Sequence, residues 1–190
     1  MTHRKDQRLI NSARRKSGQK NTIPKDQPFV WFTRSMLESV AFKALSGNAH
    51  KTLSRLLIEH MAHAGTENGN LICTYNNFAD YGVRRQSIAT AVRQLEYMGF
   101  IRVEKGWAYS GEHLPSKYRI TWLPSADGTP ATNEWKSITS VHVEAFHQRA
   151  KNNNRLAREQ MEKRKEEAKQ DLPSNVVQMM NVREVGNVST

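Results

Sequence analysis

The 190-residue chain carries 29 Lys and Arg against 18 Asp and Glu, a formal net charge of +11 with a pI of about 10.0. That length suits one domain of ordinary size plus extensions, and the positive excess favours a polyanionic partner, either nucleic acid or an anionic membrane surface. The single cysteine, Cys73, excludes an internal disulfide, the start MTHRKDQRL is too polar for a secretion signal, and no run approaches the roughly 18 apolar residues of a membrane span, so the expectation is a soluble cytoplasmic protein.

Residues 1–28 hold eight Lys/Arg against Asp6 and Asp26, a net of +6, with almost no apolar periodicity. They read as a basic arm that is disordered when free. From Phe29 the composition changes: PFVWF concentrates large apolar side chains, and Thr33 is placed to cap a helix with Leu37, Val40, Ala44 and Leu45 on one stripe. Gly47 and Asn48 are expected to break it. Asn48 then caps a second helix, with Leu53, Leu56, Leu57, His60, Met61 and Ala64 recurring at helical spacing before Gly65.

ENGN at 67–70 signals a turn, and LIC at 71–73 a brief strand. Thr74 is the N-cap candidate of a short helix containing Phe78, Ala79 and Tyr81. Gly82 stops that helix, and a longer repeat begins at once, with Ile88, Val92, Leu95 and Met98 on one side. Two helices joined so tightly must cross steeply, which is helix-turn-helix geometry. FIRVE at 100–104 and KYRITWL at 117–123 alternate inward candidates (Ile101, Val103, Tyr118, Ile120, Trp122) with polar neighbours and read as an antiparallel pair. Their connection, 106–116, is too long for a tight hairpin and is expected to project as a wing.

Residues 124–139 have the composition of a linker. A charged helix is expected over 140–170, solvated or dependent on a partner, and 171–190 is read as a disordered tail. The helix offers Phe146, Ala150, Ala157, Met161 and Ala168 as a thin stripe for a homodimer or a partner protein.

Catalytic and metal chemistry find no footing in the residues. There is no GxxxxGK, GxSxG or HExxH pattern, and the carboxylates of the central region are scattered. His60 and His63 lie a helical turn apart without a carboxylate or thiol at supporting spacing. Cys73 reads as a small buried hydrophobe. The expectation is a protein that is not an enzyme and has no metal site or cofactor.

The order helix, helix, strand, helix, turn, helix, strand, wing, strand resembles the winged helix-turn-helix fold: mainly α with a small antiparallel β wing, over 29–123. The stretch GVRRQSIATAVRQLEYMGFI, residues 82–101, is similar to the recognition unit of GntR-type bacterial regulators, a pattern shaped like GVSRTTVxxALRxLExxGLI. Gly82 and Val83 match the turn, Ile88, Val92 and Leu95 the buried side, Arg93 the exposed arginine, and Gly99, Phe100 and Ile101 the exit into the wing. Arg84 departs from the capping serine usual there, and arginine cannot accept a bond from the helix amides. Only 67 residues follow Leu123, and few are apolar, so the large effector domain of those regulators is not expected and neither is small-molecule sensing.

With Ile88, Val92 and Leu95 inward, the 100° step per residue turns Arg85, Gln86, Ala89, Thr90 and Arg93 outward. Such a helix fits the major groove of double-stranded DNA, where arginine bonds guanine bidentately and glutamine can do the same with adenine. Arg85 and Gln86 are therefore the expected base readers, with Ser87 and Arg93 on phosphates. Arg84, Thr74, Tyr75 and Asn76 lie near helix starts that favour phosphate oxygens. The wing adds Lys105, Lys117 and Arg119, with Trp107 or Tyr109 either stacking on the backbone or packing back on the domain. Arg14, Arg15 and Lys16 of the arm are expected along a neighbouring minor groove. The resemblance implies a sequence-specific regulator of bacterial transcription, with a phage, plasmid or other mobile element as the guessed setting. A replication initiator or accessory factor and a winged helix used only for protein contacts stay open as alternatives.

Overall fold

The computed structural model describes residues 27–107 and 113–170. They belong to two units that divide after Lys136.

Thr33 begins the first unit as expected, its hydroxyl accepting from the Met36 amide to cap α1 (Arg34–Leu37). The single helix read from that cap is instead two, because Ser39 interrupts it. The Ser39 hydroxyl donates to the Met36 carbonyl at 2.6 Å and accepts from the Phe42 amide at 3.1 Å, opening α2 (Val40–Lys43). The restart rotates the stripe: Met36, Ala41 and Leu45 are buried, while Leu37 and Val40 stand exposed. Gly47 and Asn48 do not break the chain either. Ser46 caps α3 (Gly47–Ala62), and Asn48 lies in its first turn. Leu53, Leu56, Leu57 and His60 make its buried side, Met61 is half-buried, and Ala64 lies exposed past the end. Burial lowers the pKa of His60, favouring the uncharged imidazole.

After β1 (Leu71–Ile72) come α4 (Tyr75–Asp80) and α5 (Arg85–Tyr97), then β2 (Ile101–Trp107) and β3 (His113–Ile120). The three strands form one antiparallel sheet in the order β1-β3-β2, so the unit is helical with a small sheet, an arrangement compatible with a winged helix-like fold. Ile101, Tyr118 and Ile120 are buried against the helices and Val103 is half-buried, as the alternation predicts. The pairing runs further than the sequence suggests. Beyond a bulge between Glu104 and Gly106, Gly106 faces Leu114 and Trp107 faces His113. Ladder therefore replaces most of the expected 106–116 loop, and its tip, with Tyr109, lies outside the described residues.

The stretch read as a linker also belongs largely to this unit. Ala126 donates to the Asn68 carbonyl and Thr132 to the Thr121 carbonyl, both at 2.8 Å, and Trp135 is buried in a short 3-10 turn, Glu134–Ser137. Asn68, read only as part of a turn, is 1% exposed: its Oδ1 accepts from the Ile120 amide at 2.7 Å, and its Nδ2 reaches the carbonyls of Ile120, Leu123 and Pro124. Gly99 makes the close packing possible. Its φ is +73°, and a Cβ there would lie 2.7 Å from the Glu134 carbonyl carbon and the Trp135 nitrogen.

The second unit is dominated by α6 (Ser140–Gln170), the bounds expected for the charged helix. Thr139 precedes it, its amide and hydroxyl bonded to Nδ1 of His142 at 3.2 and 2.9 Å. Phe146 and Ala150 are half-buried, Ala157 and Met161 are exposed, and the side chain of Ala168 lies outside the described residues. Arg155 and Glu159 supply an i,i+4 ion pair at 3.8 Å. No described helix is long and apolar enough to cross a membrane.

Candidate nucleic-acid interface

The site is built from the two helices around Gly82. Thr74 begins α4 with a reciprocal cap: its hydroxyl accepts from the Asn77 amide, and the Asn77 carboxamide oxygen accepts from the Thr74 amide at 2.8 Å. α4 then ends in a Schellman arrangement, with Gly82 at φ +87° donating to the Ala79 carbonyl and Val83 donating to the Phe78 carbonyl at 3.0 Å. Phe78 and Val83 are both buried, while Tyr81 is left exposed.

α5 starts two residues after that reversal. Its N-cap is Arg84, whose side chain makes no capping hydrogen bond. The backbone closes one bond, from the Ser87 amide to the Arg84 carbonyl at 2.8 Å. Among the described residues no side-chain oxygen is supplied to the first amides of this 13-residue helix, which keeps the positive end of its dipole available beside two arginines.

Burial separates the two sides of α5. Ile88, Ala91 and Leu95 are essentially inaccessible, together with Met98 at the C-cap. Ala91 takes the central place that the periodicity gave to Val92, which is half-buried. Arg84, Arg85, Gln86, Ala89, Thr90 and Arg93 are exposed and Ser87 is half-buried, so the outward set is the one read from the sequence.

Several of these side chains are held. Nη2 of Arg85 donates to Oδ1 of Asn76 at 2.5 Å, tying the first residue of α5 to the second residue of α4. Arg93 lies back along its own helix, with Nε donating to the Ala89 carbonyl and Nη2 to the Thr90 hydroxyl. Tyr75 is exposed at the start of α4. Thr74, expected to meet phosphate, is engaged in its cap.

On the sheet, Lys105 and Lys117 are exposed, and Lys117 donates to Asn70 Oδ1 at 3.2 Å. Arg119 is different. It stands opposite Arg102 across the β2–β3 ladder, a facing of like charges, and Glu134 bridges the two, 2.7 Å from Arg102 and 3.6 Å from Arg119. One carboxylate thus offsets part of the repulsion between two guanidinium groups. The side chain of Trp107 and the residues Arg14, Arg15 and Lys16 lie outside the described set.

Two polar residues at this site escaped the sequence reading. Gln94, on the inner side of α5 and 5% exposed, accepts from the amide and hydroxyl of Ser46 at 3.2 and 2.7 Å and donates to the Ala44 carbonyl at 3.0 Å. It joins α5 to the corner between α2 and α3. Lys51 of α3 reaches the turn, its Nζ donating to the Gly82 carbonyl at 3.2 Å. A glutamine in an apolar stripe three residues after Ala91 was the available signal for the first; nothing local marks the second. Cys73 is buried, and desolvation raises its thiol to about 11, which makes it an inert packing group.

No family model matches the chain, and no curated protein and no solved structure matches it either.

Proposed function

We propose that the chain is a sequence-specific double-stranded DNA-binding protein, a transcriptional regulator of bacterial type, which lays α5 in the major groove. The observation that carries this reading is the division of α5 into a sealed apolar side and an exposed side bearing Arg84, Arg85, Gln86, Thr90 and Arg93, beginning at an end that no described side chain caps. A purely structural helix gains stability from closing that end. An open end flanked by guanidinium groups suits phosphate and base edges instead. Lys105 and Lys117 would follow the backbone from the wing, and Lys51 places a further cation beside the turn.

The test is capture of fragmented genomic DNA by the full chain, followed by sequencing. Discrete enriched sites next to promoters are the expected result; clustered repeats at an origin would redirect the reading to replication, and the absence of any enriched sequence would sink it. On the enriched duplex, Arg85→Ala should lose about 1–3 kcal/mol of preference at one base pair. Lys117→Ala should weaken all duplexes about equally.

A further inference from the structure

The link between Arg85 and Asn76 has no evident purpose in holding the fold. Both residues are exposed, the reciprocal cap of α4 uses Thr74 and Asn77 rather than Asn76, and the turn between the helices is already closed by the Val83 amide on the Phe78 carbonyl, with both side chains buried. An exposed arginine at the start of a helix ordinarily samples many rotamers, and immobilising it on binding costs affinity. Here one guanidinium hydrogen is committed to a carboxamide oxygen on a neighbouring element. Of the five N–H donors of the guanidinium, four remain, enough for a two-point contact with the O6 and N7 acceptors of guanine.

We propose that Asn76 is a specificity-determining positioning residue, which holds the Arg85 guanidinium in the orientation that reads a guanine. The inference rests on the proposed DNA-binding reading and adds to it a base class and a division of labour. Asn76 belongs with the base-reading group rather than with the phosphate contacts of the α4 start.

The experiment uses the full chain with a duplex selected from a randomised library, and with variants of that duplex changed at each base pair in turn. Arg85→Ala identifies the base pair that Arg85 reads. Asn76→Ala should reduce the preference for guanine at that same pair about tenfold or more, the scale of one charge-assisted hydrogen bond, while thermal unfolding stays within the range of an exposed substitution. Asn76→Asp keeps an acceptor for the guanidinium. It should retain the preference while lowering affinity for every duplex, because a negative charge now faces the phosphates.

Loss of preference in Asn76→Ala and its retention in Asn76→Asp support the proposal. An Asn76→Ala protein that keeps wild-type preference at the Arg85 pair overturns it, as does one that binds all duplexes more weakly by one common factor. If the library yields no selected duplex at low salt, the DNA-binding reading itself fails, and that outcome is distinct from a failure confined to Asn76.

Discussion

The two helices around Gly82 begin in opposite ways. α4 is short and closed at its start by the side chains of Thr74 and Asn77, whereas α5 starts at Arg84 with no described side chain closing it. The longer helix can leave its end open because its flank holds it: Ile88, Ala91 and Leu95 are packed away from water, and Gln94 is bonded to Ser46 and Ala44. A six-residue helix has no comparable flank, so more of its stability must come from its ends. The comparison assigns stability to the start of one helix and to the side of the other.

The largest effect that would break this contrast is expected at Gln94. Removing its carboxamide leaves the Ala44 carbonyl and the Ser46 amide and hydroxyl to find other partners at a partly buried corner. Gln94→Ala should therefore cost about 2 kcal/mol of stability in chemical denaturation. A loss no larger than that of an ordinary surface substitution would show that the apolar flank alone anchors α5. The next effect is at the other helix: Thr74→Ala removes the hydroxyl that accepts from the Asn77 amide and leaves only the backbone half of the reciprocal cap, for an expected loss of about 1 kcal/mol. If the melting temperature did not move, α4 would not depend on its cap.

The same contrast explains what was legible beforehand. Caps, glycine stops and periodic apolar positions are local signals, and Thr33, Thr74, Gly82, Ile88 and Leu95 all perform the local jobs read from them. Apart from the interruption at Ser39, which is itself local, the misreadings occur where a distant residue engages one of several local candidates. Ser46 and Asn48 are both good cap types, and Gln94, which lies 48 residues from Ser46, bonds to the Ser46 amide and hydroxyl. The stretch 124–136 has a linker's composition, yet Trp135 is buried and Gly99 leaves room for the backbone of Glu134. Asn68 looks like an ordinary turn residue until Ile120, 52 residues away, presents both its amide and its carbonyl to it. For the candidate site, the exposed set on α5 follows from helical geometry alone, whereas the engagement of Arg85 by Asn76 and of Arg119 by Glu134 depends on tertiary approach.

The smallest expected change in stability carries the sharpest information, because its sign opposes that of the functional effect. Arg84→Ser supplies the hydroxyl that α5 lacks, so the amides of its first turn gain an acceptor and stability should rise by about 0.5–1 kcal/mol. If the open end serves a phosphate, the same substitution removes a cation and fills the place where the oxygens would bind. Affinity for the selected duplex should then fall, and the slope of log K against log salt should become shallower by about one. A variant that is more stable and binds more weakly confirms that α5 forgoes a cap in favour of a ligand. A more stable variant with undiminished affinity and an unchanged salt slope would mean that the missing cap has nothing to do with DNA. The outward face of α5 would then have to bind without help from its own dipole.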